Sequence, residues 1–256
     1  MNRRRERPPV VMIHGGFCGP WSFEGFAAKF KSQGYAVQCP ALRFHDLPEP
    51  PEALGTTSLR DYAADLEQSL DTLKAPPILV GHSLGGLLAQ MLAARRTVHA
   101  AVLLAPSAPW GVPPSTLFEI ATAQAMLLQV GFWNQILPPD SDIAARHSLD
   151  RYARPERDNI FRQLVPESGR AMFETIHWGL DMGRASEVDA KKVSCPILAI
   201  AGGEDRINPP GTVERIAALY KERATYEKIS GMSHWLIGEP GWEKVADRAL
   251  AWLASI

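Results

Sequence analysis

The segment GHSLG at residues 81–85 contains the residue best suited to act as a nucleophile, Ser83. It lies between an apolar run that predicts a strand and a longer run that predicts a helix. A G-x-S-x-G pattern in that position is typical of a strained turn that exposes the serine hydroxyl above a sheet. The positive end of the helix dipole behind the turn would stabilise negative charge there. We therefore predict that Ser83 is a nucleophile, with an ordinary tight turn as the alternative.

Two further residues supply what a serine nucleophile lacks. Serine near neutral pH needs an adjacent base, and His234 is the best candidate because the turn-rich segment around it follows a predicted strand. The base in turn needs a carboxylate on its other ring nitrogen. Asp205 follows the preceding predicted strand and is favoured over its neighbour Glu204. The chain order Ser83, Asp205, His234 therefore predicts a catalytic triad.

The loop HGGF at residues 14–17 directly follows the first predicted strand. Acyl transfer places negative charge on the carbonyl oxygen, and each backbone N–H aimed at that oxygen contributes roughly 3 kcal/mol. One expected oxyanion donor is the N–H of Leu84, which follows the nucleophile. The other is the N–H of Gly16, or that of Phe17 if the loop runs one residue differently. A purely structural turn is the alternative interpretation of this loop.

Two other histidines and a cysteine lie near these positions, and we expect structural roles for them. His14 is predicted to be a structural partner within its own loop rather than the base. His82 neighbours the nucleophile, but on so tight a turn its side chain should diverge from Ser83 Oγ. Cys18 is expected to be a small buried apolar residue.

These residues must be positioned by a framework of alternating strands and helices. The predicted strands cover residues 9–13, 35–39, 78–80, 100–104, 196–201 and 224–229, and the predicted helices cover 21–33, 58–74, 84–95, 211–220 and a last segment from about 241. Strands that are apolar almost throughout, separated by helices, indicate a parallel sheet covered on both faces. The predicted fold class is therefore α/β, with a doubly wound and mostly parallel sheet.

The alternation is interrupted over residues 106–192, which we interpret as a helical cap inserted between two strands. Helix-like segments cover 117–130, 157–164 and 168–180, and no strand pattern is found there. The predicted α/β core then comprises residues 8–105 and 193–256. Residues 1–7, with a short basic run, are predicted to form a flexible leader.

Composition excludes several classes of protein. The 256 residues include 27 Lys and Arg against 28 Asp and Glu, a net charge of −1. A protein that binds duplex nucleic acid needs a positive surplus, so no nucleic-acid partner is expected. No apolar stretch predicts a signal peptide or a membrane span. Three widely spaced cysteines favour no disulfide framework or zinc cluster, and we expect a cytoplasmic protein. The oligomeric state is left open.

The motifs together resemble those of the α/β-hydrolase superfamily, specifically its small serine esterases with a helical cap. The resemblance rests on the order Ser83, Asp205, His234, on the HGG loop at 14–16 and on the segment DRINP at 205–209. It covers essentially the whole chain apart from the leader. A sheet of about eight strands is implied, of which only six are predicted here, so the first one or two strands of the family pattern are expected to be missing.

The resemblance implies a serine carboxylesterase that forms an acyl-enzyme and requires no cofactor or metal. The expected partner is a small-molecule or polymeric ester. Alternatives within the fold are a cofactor-free perhydrolase, a lactonase or a carbon–carbon bond hydrolase. The alternative from another class is a ligand receptor without turnover. Aromatic side chains are candidates for the substrate pocket, with ordinary core packing as the alternative: Phe17, Trp110, Trp178 and Trp235, together with Phe132 and Trp133.

Overall fold

A parallel sheet forms the centre of the protein, whose computed structural model describes residues 7–256. Within that range the strands are β1 (Val10–Ile13), β2 (Val37–Gln38), β3 (Ile78–His82), β4 (Ala100–Leu104), β5 (Ile136–Leu137), β6 (Glu167–Ser168), β7 (Ile197–Gly202) and β8 (Ala224–Ile229). Six of them form one sheet in the order β2-β1-β3-β4-β7-β8, and every neighbouring pair is parallel. The predicted α/β fold and the six predicted strands are confirmed.

The described range contains nine α-helices, and those outside the segment between β4 and β7 cover both faces of this sheet. The nine helices are α1 (Glu24–Ser32), α2 (Leu59–Leu70), α3 (Leu84–Ala93), α4 (Leu117–Leu127), α5 (Ser141–Ile143), α6 (Arg154–Phe161), α7 (Gly169–Ile176), α8 (Pro210–Ala218) and α9 (Trp242–Leu253). Alternate strand residues point to opposite faces. The strand side chains on one face pack in a cluster with α2, α3 and α8, and those on the other face pack with α1 and α9.

Burial explains why the central strands were recognisable as apolar runs. Every residue of β1, β3, β4 and β7 is buried, whereas the edge strands β2 and β8 are only partly buried. All ten residues of α3 are buried as well. The carboxyl ends of the parallel strands therefore lie at one edge of a rigid, fully packed layer, and this is where ligands bind in such sheets.

The segment between β4 and β7 holds α4 to α7, and we call residues 106–192 the cap. Each of its three predicted helical segments overlaps a helix, although α6 begins and ends three residues earlier than predicted. The expectation that the cap lacks strands is wrong, because β5 and β6 form a short antiparallel pair in which Leu137 lies opposite Glu167. A two-residue strand has no periodicity that a sequence could display. Ser168, predicted to lie inside a helix, instead caps α7 by accepting a hydrogen bond from Ala171 N.

Two further expectations concern the ends and surroundings of the core. The predicted leader falls outside the described residues except for Arg7, whose guanidinium lies 4.6 Å from the ring centre of Tyr35. Cys18 is buried, as expected. Among the helices of residues 7–256, none combines the length and apolar character that a membrane-crossing segment needs.

Candidate active site

Ser83 lies on a strained turn between β3 and α3. Its backbone adopts φ +53° and ψ −119°, a conformation that non-glycine residues rarely adopt. The turn is so tight that a Cβ atom on Gly81 would lie 2.2 Å from Gly85 O, and one on Gly85 would lie 2.0 Å from Ile13 O. Glycine is therefore required at both positions. Ser83 itself is partly exposed, so its hydroxyl is accessible.

The three residues of the predicted triad are brought together from the ends of three strands. His234 Nδ1 donates to Asp205 Oδ2 over 2.8 Å, and Ser83 Oγ lies 3.1 Å from His234 Nε2. Asp205 and His234 are both buried, while the rival Glu204 is exposed. This geometry suits removal of the serine proton by a histidine whose orientation is held by a carboxylate.

Asp205 is held in place by its own loop. Its second carboxylate oxygen, Oδ1, accepts hydrogen bonds from the backbone N–H of Ile207 over 2.8 Å and of Asn208 over 3.0 Å. The side chain of Asn208 donates to Ala105 O over 2.8 Å and so ties this loop to the end of β4. With the bond from His234, the carboxylate therefore accepts three hydrogen bonds, which fix its orientation.

The neighbouring histidines have structural contacts, as predicted. His82 Nε2 donates to the backbone oxygen of His234 over 2.8 Å. Burial, followed by the nearby His234, lowers the pKa of His82 to about 3, so it is neutral near pH 7. His14 Nδ1 donates to Gly15 O in its own loop over 2.9 Å, and its Nε2 accepts from Leu42 N over 3.0 Å. Burial lowers the pKa of His14 to about 4. His82 thus supports the backbone of the segment 231–239 around His234, which we call the histidine loop.

Sequence reasoning missed a carboxylate beneath the histidine loop. Glu239, at the end of that loop, is 1% exposed, and its Oε1 accepts a hydrogen bond from Ser233 N over 2.6 Å. Its Oε2 has no hydrogen-bond partner among residues 7–256. Burial raises the pKa of Glu239 to about 7. No residue type or spacing nearby distinguishes it from a solvent-exposed glutamate, so the sequence held no usable signal.

The HGGF loop runs directly against the nucleophile. A Cβ on Gly15 would lie 3.2 Å from Ser83 Cβ, and a Cβ on Gly16 would lie 3.7 Å from Leu84 Cδ2. Within the described part of the chain, neither the Gly16 N–H nor the Leu84 N–H donates a hydrogen bond. The Phe17 N–H, in contrast, donates to Glu167 Oε2 of the cap over 3.3 Å.

The tryptophans predicted for the pocket pack mainly against other side chains. Trp235 is buried and stacks on Trp21, with ring centres 6.0 Å apart. Trp110 and Trp178 meet edge to face at 5.6 Å, and the guanidinium of Arg184 lies over Trp110 at 4.1 Å. For the residues the structure describes, Trp110 and Trp178 form no ring pair and no hydrogen bond with the triad. Their role in binding substrate stays a prediction.

Comparison with known proteins identifies the family. Residues 10–248 match the alpha/beta hydrolase family, and the chain belongs to that family. A mouse protein, the sn-1-specific diacylglycerol lipase ABHD11, is 26% identical over 239 residues, which are 90% of this chain and 76% of the mouse protein. The predicted resemblance is thereby confirmed, and so is the prediction of a hydrolase.

Solved structures share the fold over nearly the whole chain. The monoacylglycerol lipase of Paleococcus ferrophilus has a TM-score of 0.71 and 23% identity, covering 98% of this chain and 95% of its own. A thermophilic esterase from Thermogutta terrifontis has a TM-score of 0.69 and 20% identity, covering 97% of this chain and 90% of its own. At these identities the likeness concerns the fold alone.

Proposed function

We propose that the protein is a serine esterase that hydrolyses carboxylic esters through an acyl-enzyme on Ser83. The observation that carries the proposal is the continuous line of hydrogen bonds from Asp205 through His234 to Ser83 Oγ, at 2.8 and 3.1 Å. Such a line is useful only where a serine must lose its proton as it attacks. The membership of the alpha/beta hydrolase family supports the same reaction class.

Acylation begins when Ser83 Oγ attacks the carbonyl carbon of the ester while His234 Nε2 takes its proton. The resulting imidazolium is stabilised by Asp205, which also keeps the hydrogen of the neutral ring on Nδ1. His234 then donates the proton to the leaving alkoxide, and the acyl group stays on Ser83. In deacylation, His234 takes a proton from water, which attacks the acyl carbon, and it then donates that proton to Ser83 Oγ as the bond to the acyl group breaks and the acid is released.

The negative charge that develops on the carbonyl oxygen needs donors. We assign them as the N–H groups of Leu84 and Gly16. This choice over Phe17 is supported by the hydrogen bond that the Phe17 N–H already makes to Glu167. Leu84 is the first residue of α3, so its N–H has no intrahelical acceptor and is aligned with the positive end of the helix dipole.

We propose carboxylic esters as the substrate class, and acylglycerols are among the first esters to test. The mouse relative is named as a diacylglycerol lipase, and one of the structural neighbours as a monoacylglycerol lipase. Two other structural neighbours are named as an esterase and a methylesterase. A chain-length series therefore separates these possibilities better than any one ester does.

The test is hydrolysis of p-nitrophenyl esters from acetate to octanoate, and of monoacylglycerols, by the wild type and by Ser83→Ala. Turnover should fall by about 10³-fold or more in the variant because the nucleophile is lost. Ser186→Ala is a matched control, since this buried serine lies in the cap and its Oγ has no partner within residues 7–256. Turnover that survives in Ser83→Ala would refute the proposal. If no ester is turned over, absence of Ser83 labelling by a fluorophosphonate would favour a receptor, whereas labelling would indicate an active nucleophile with an acyl substrate outside this series.

A further inference from the structure

One buried carboxylate of the cap has four hydrogen-bond donors directed at it, and the triad chemistry does not use it. Glu167, in β6, is fully buried. Its Oε2 accepts from His45 Nε2 over 3.1 Å and from Phe17 N over 3.3 Å. Its Oε1 accepts from the hydroxyl of Tyr62 over 2.6 Å and from Ser168 N over 2.7 Å. The donors come from the HGGF loop, from the segment after β2, from α2 and from the cap itself.

Glu167 and His45 form a buried ion pair. Burial disfavours both charges, but His45 and the hydrogen bonds from Tyr62 and Ser168 together outweigh it and leave the pKa of Glu167 below its usual value. Glu167 in turn raises the pKa of His45 against the effect of burial. Both ring nitrogens of His45 can then donate, since Nδ1 lies 3.0 Å from the oxygen of Arg43. Buried ion pairs contribute little net stability, so a role in specifying geometry is the more informative explanation.

The cap forms hydrogen bonds with both backbone polar groups of Phe17, its N–H and its carbonyl oxygen. While Glu167 accepts from the Phe17 N–H, Val165 N donates to Phe17 O over 2.9 Å. Phe17 adopts φ +61°, a left-handed conformation that a phenylalanine does not favour by itself. The two cap contacts therefore stabilise a backbone conformation that the loop sequence does not prefer.

The consequence falls on Gly16, because its Cα joins the Gly16–Phe17 peptide held by Glu167 to the preceding peptide, which carries the Gly16 N–H. Glycine has the widest freedom in φ and ψ, so the direction of the Gly16 N–H is not determined locally. A larger residue at position 16 could not restrict the backbone in place of Glu167, because its Cβ would lie 3.2 Å from Glu167 Oε2. We call the hydrogen bond from Phe17 N–H to Glu167 the clamp. The orientation of the Gly16 N–H thus depends on the contact between the loop and the cap.

We propose that Glu167 is a positioning residue that fixes the Gly16–Phe17 peptide and thereby aims the Gly16 N–H at the carbonyl oxygen of the substrate. This inference rests on the proposed function, since it assumes that Gly16 supplies an oxyanion donor. His45 and Tyr62 hold the carboxylate, so a cap residue and two core residues together set the geometry of the oxyanion site. The clamp couples correct seating of the cap to stabilisation of the transition state.

A second cap carboxylate provides the matched control. Glu174, in α7, is also buried, and it accepts from Ser58 Oγ over 2.8 Å and from Leu59 N over 2.8 Å. It joins the cap to the start of α2 and, within the described residues, forms no hydrogen bond with the HGGF loop. A role limited to attaching the cap would therefore affect Glu167→Gln and Glu174→Gln in the same way.

The experiment compares both variants with the wild type in the full chain, using a p-nitrophenyl ester and a trifluoromethyl ketone that mimics the tetrahedral intermediate. Removing an oxyanion donor costs about 10²- to 10³-fold in kcat, so misaiming one should cost about 10- to 100-fold. We expect that loss in kcat for Glu167→Gln, KM within about 3-fold of the wild type, and weaker inhibition by the ketone in proportion to kcat. Glu174→Gln should retain kcat within about 2-fold.

Three results would overturn the positioning role: equal losses in both variants, a change confined to KM, or unchanged ketone affinity in Glu167→Gln. If Glu167→Gln does not fold, Tyr62→Phe removes one hydrogen bond to the same carboxylate and should lower kcat by about 3- to 10-fold at constant KM. The ester assay with Ser83→Ala is run alongside. Turnover that does not depend on Ser83 would refute the proposed function, whereas Ser83-dependent turnover with no effect of Glu167→Gln would refute only the positioning role.

Discussion

At the scale of single residues, the site is defined by groups whose neighbours restrict them to one orientation. Asp205 accepts two backbone hydrogen bonds in addition to the one from His234, and His82 supports the backbone of His234 from below. Each chemically active side chain therefore has a second set of contacts that holds it. Positions of this kind respond strongly even to isosteric substitution.

The role of Asp205 can be tested by replacing each of two adjacent acids with its amide. Asp205→Asn should lower kcat by about 10³- to 10⁴-fold, because an amide oriented by the same loop no longer favours the reactive tautomer of His234. Glu204→Gln should leave kcat unchanged, since Glu204 is exposed. Steady-state kinetics with one ester suffices, and circular dichroism checks that both variants fold. Equal rates in the two variants would exclude Asp205 as the orienting acid.

Glu239 should make stability depend on pH. Its pKa is about 7 in the folded protein against 4.5 for the free side chain, so the folded state favours the protonated form. The resulting stabilisation is complete below pH 4.5, declines as pH rises through 7 and amounts to at most about 3 kcal/mol. Urea unfolding of the wild type and Glu239→Gln between pH 5 and 8 measures it. The variant should lose this slope, and parallel curves would contradict the assignment.

At the scale of elements, the unit formed by β3, the Ser83 turn and α3 depends on close backbone approach. The glycines around Ser83 leave room for the adjacent strand and helix, as the contacts at Gly81 and Gly85 show. The predicted helix at residues 58–74 begins where expected, and Ser58 and Asp61 form a capping box at its start. Local signals of this kind can be read from sequence because both partners are close in the chain.

Gly85→Ala tests the close approach. The added methyl group would lie 2.0 Å from Ile13 O, so the helix must move away from β1. We expect a loss of about 3 kcal/mol or more in the free energy of unfolding, measured with urea. The control is Gly179→Ala, where a Cβ meets nothing within 4 Å. A stability of Gly85→Ala equal to that of the control would show that the contact is easily relieved.

At the scale of the whole molecule, the cap and the sheet domain are joined by buried polar contacts. Glu174 accepts from the start of α2, Ser168 Oγ donates to Thr57 O over 2.6 Å, and Tyr62 donates to Glu167. Breaking any of these in isolation leaves a buried group without a partner, which is costly. The cap should therefore not separate from the core before the core unfolds.

We expect one cooperative unfolding transition for cap and core. Hydrogen exchange followed by mass spectrometry in increasing urea should show that amides of α7 and of α3 lose protection together. Glu174→Gln should lower the midpoint of both by the same amount. Loss of protection in α7 at clearly lower urea than in α3 would instead indicate a cap that opens independently.

Sequence alone is enough to predict the parallel sheet, its flanking helices and the meeting of Ser83, Asp205 and His234. These follow from apolar runs, turns and helix starts, whose signals are local, and from the rule that the carboxyl ends of parallel strands share one edge. Three features are visible only in the folded chain: the β5–β6 pair, the placement of Glu239 and the hydrogen bond between Glu167 and Phe17. Glu167 lies 150 residues from Phe17, and an isolated glutamate in a helical cap carries no pattern. Such contacts are set by long-range packing that brings polar groups together once the core has formed.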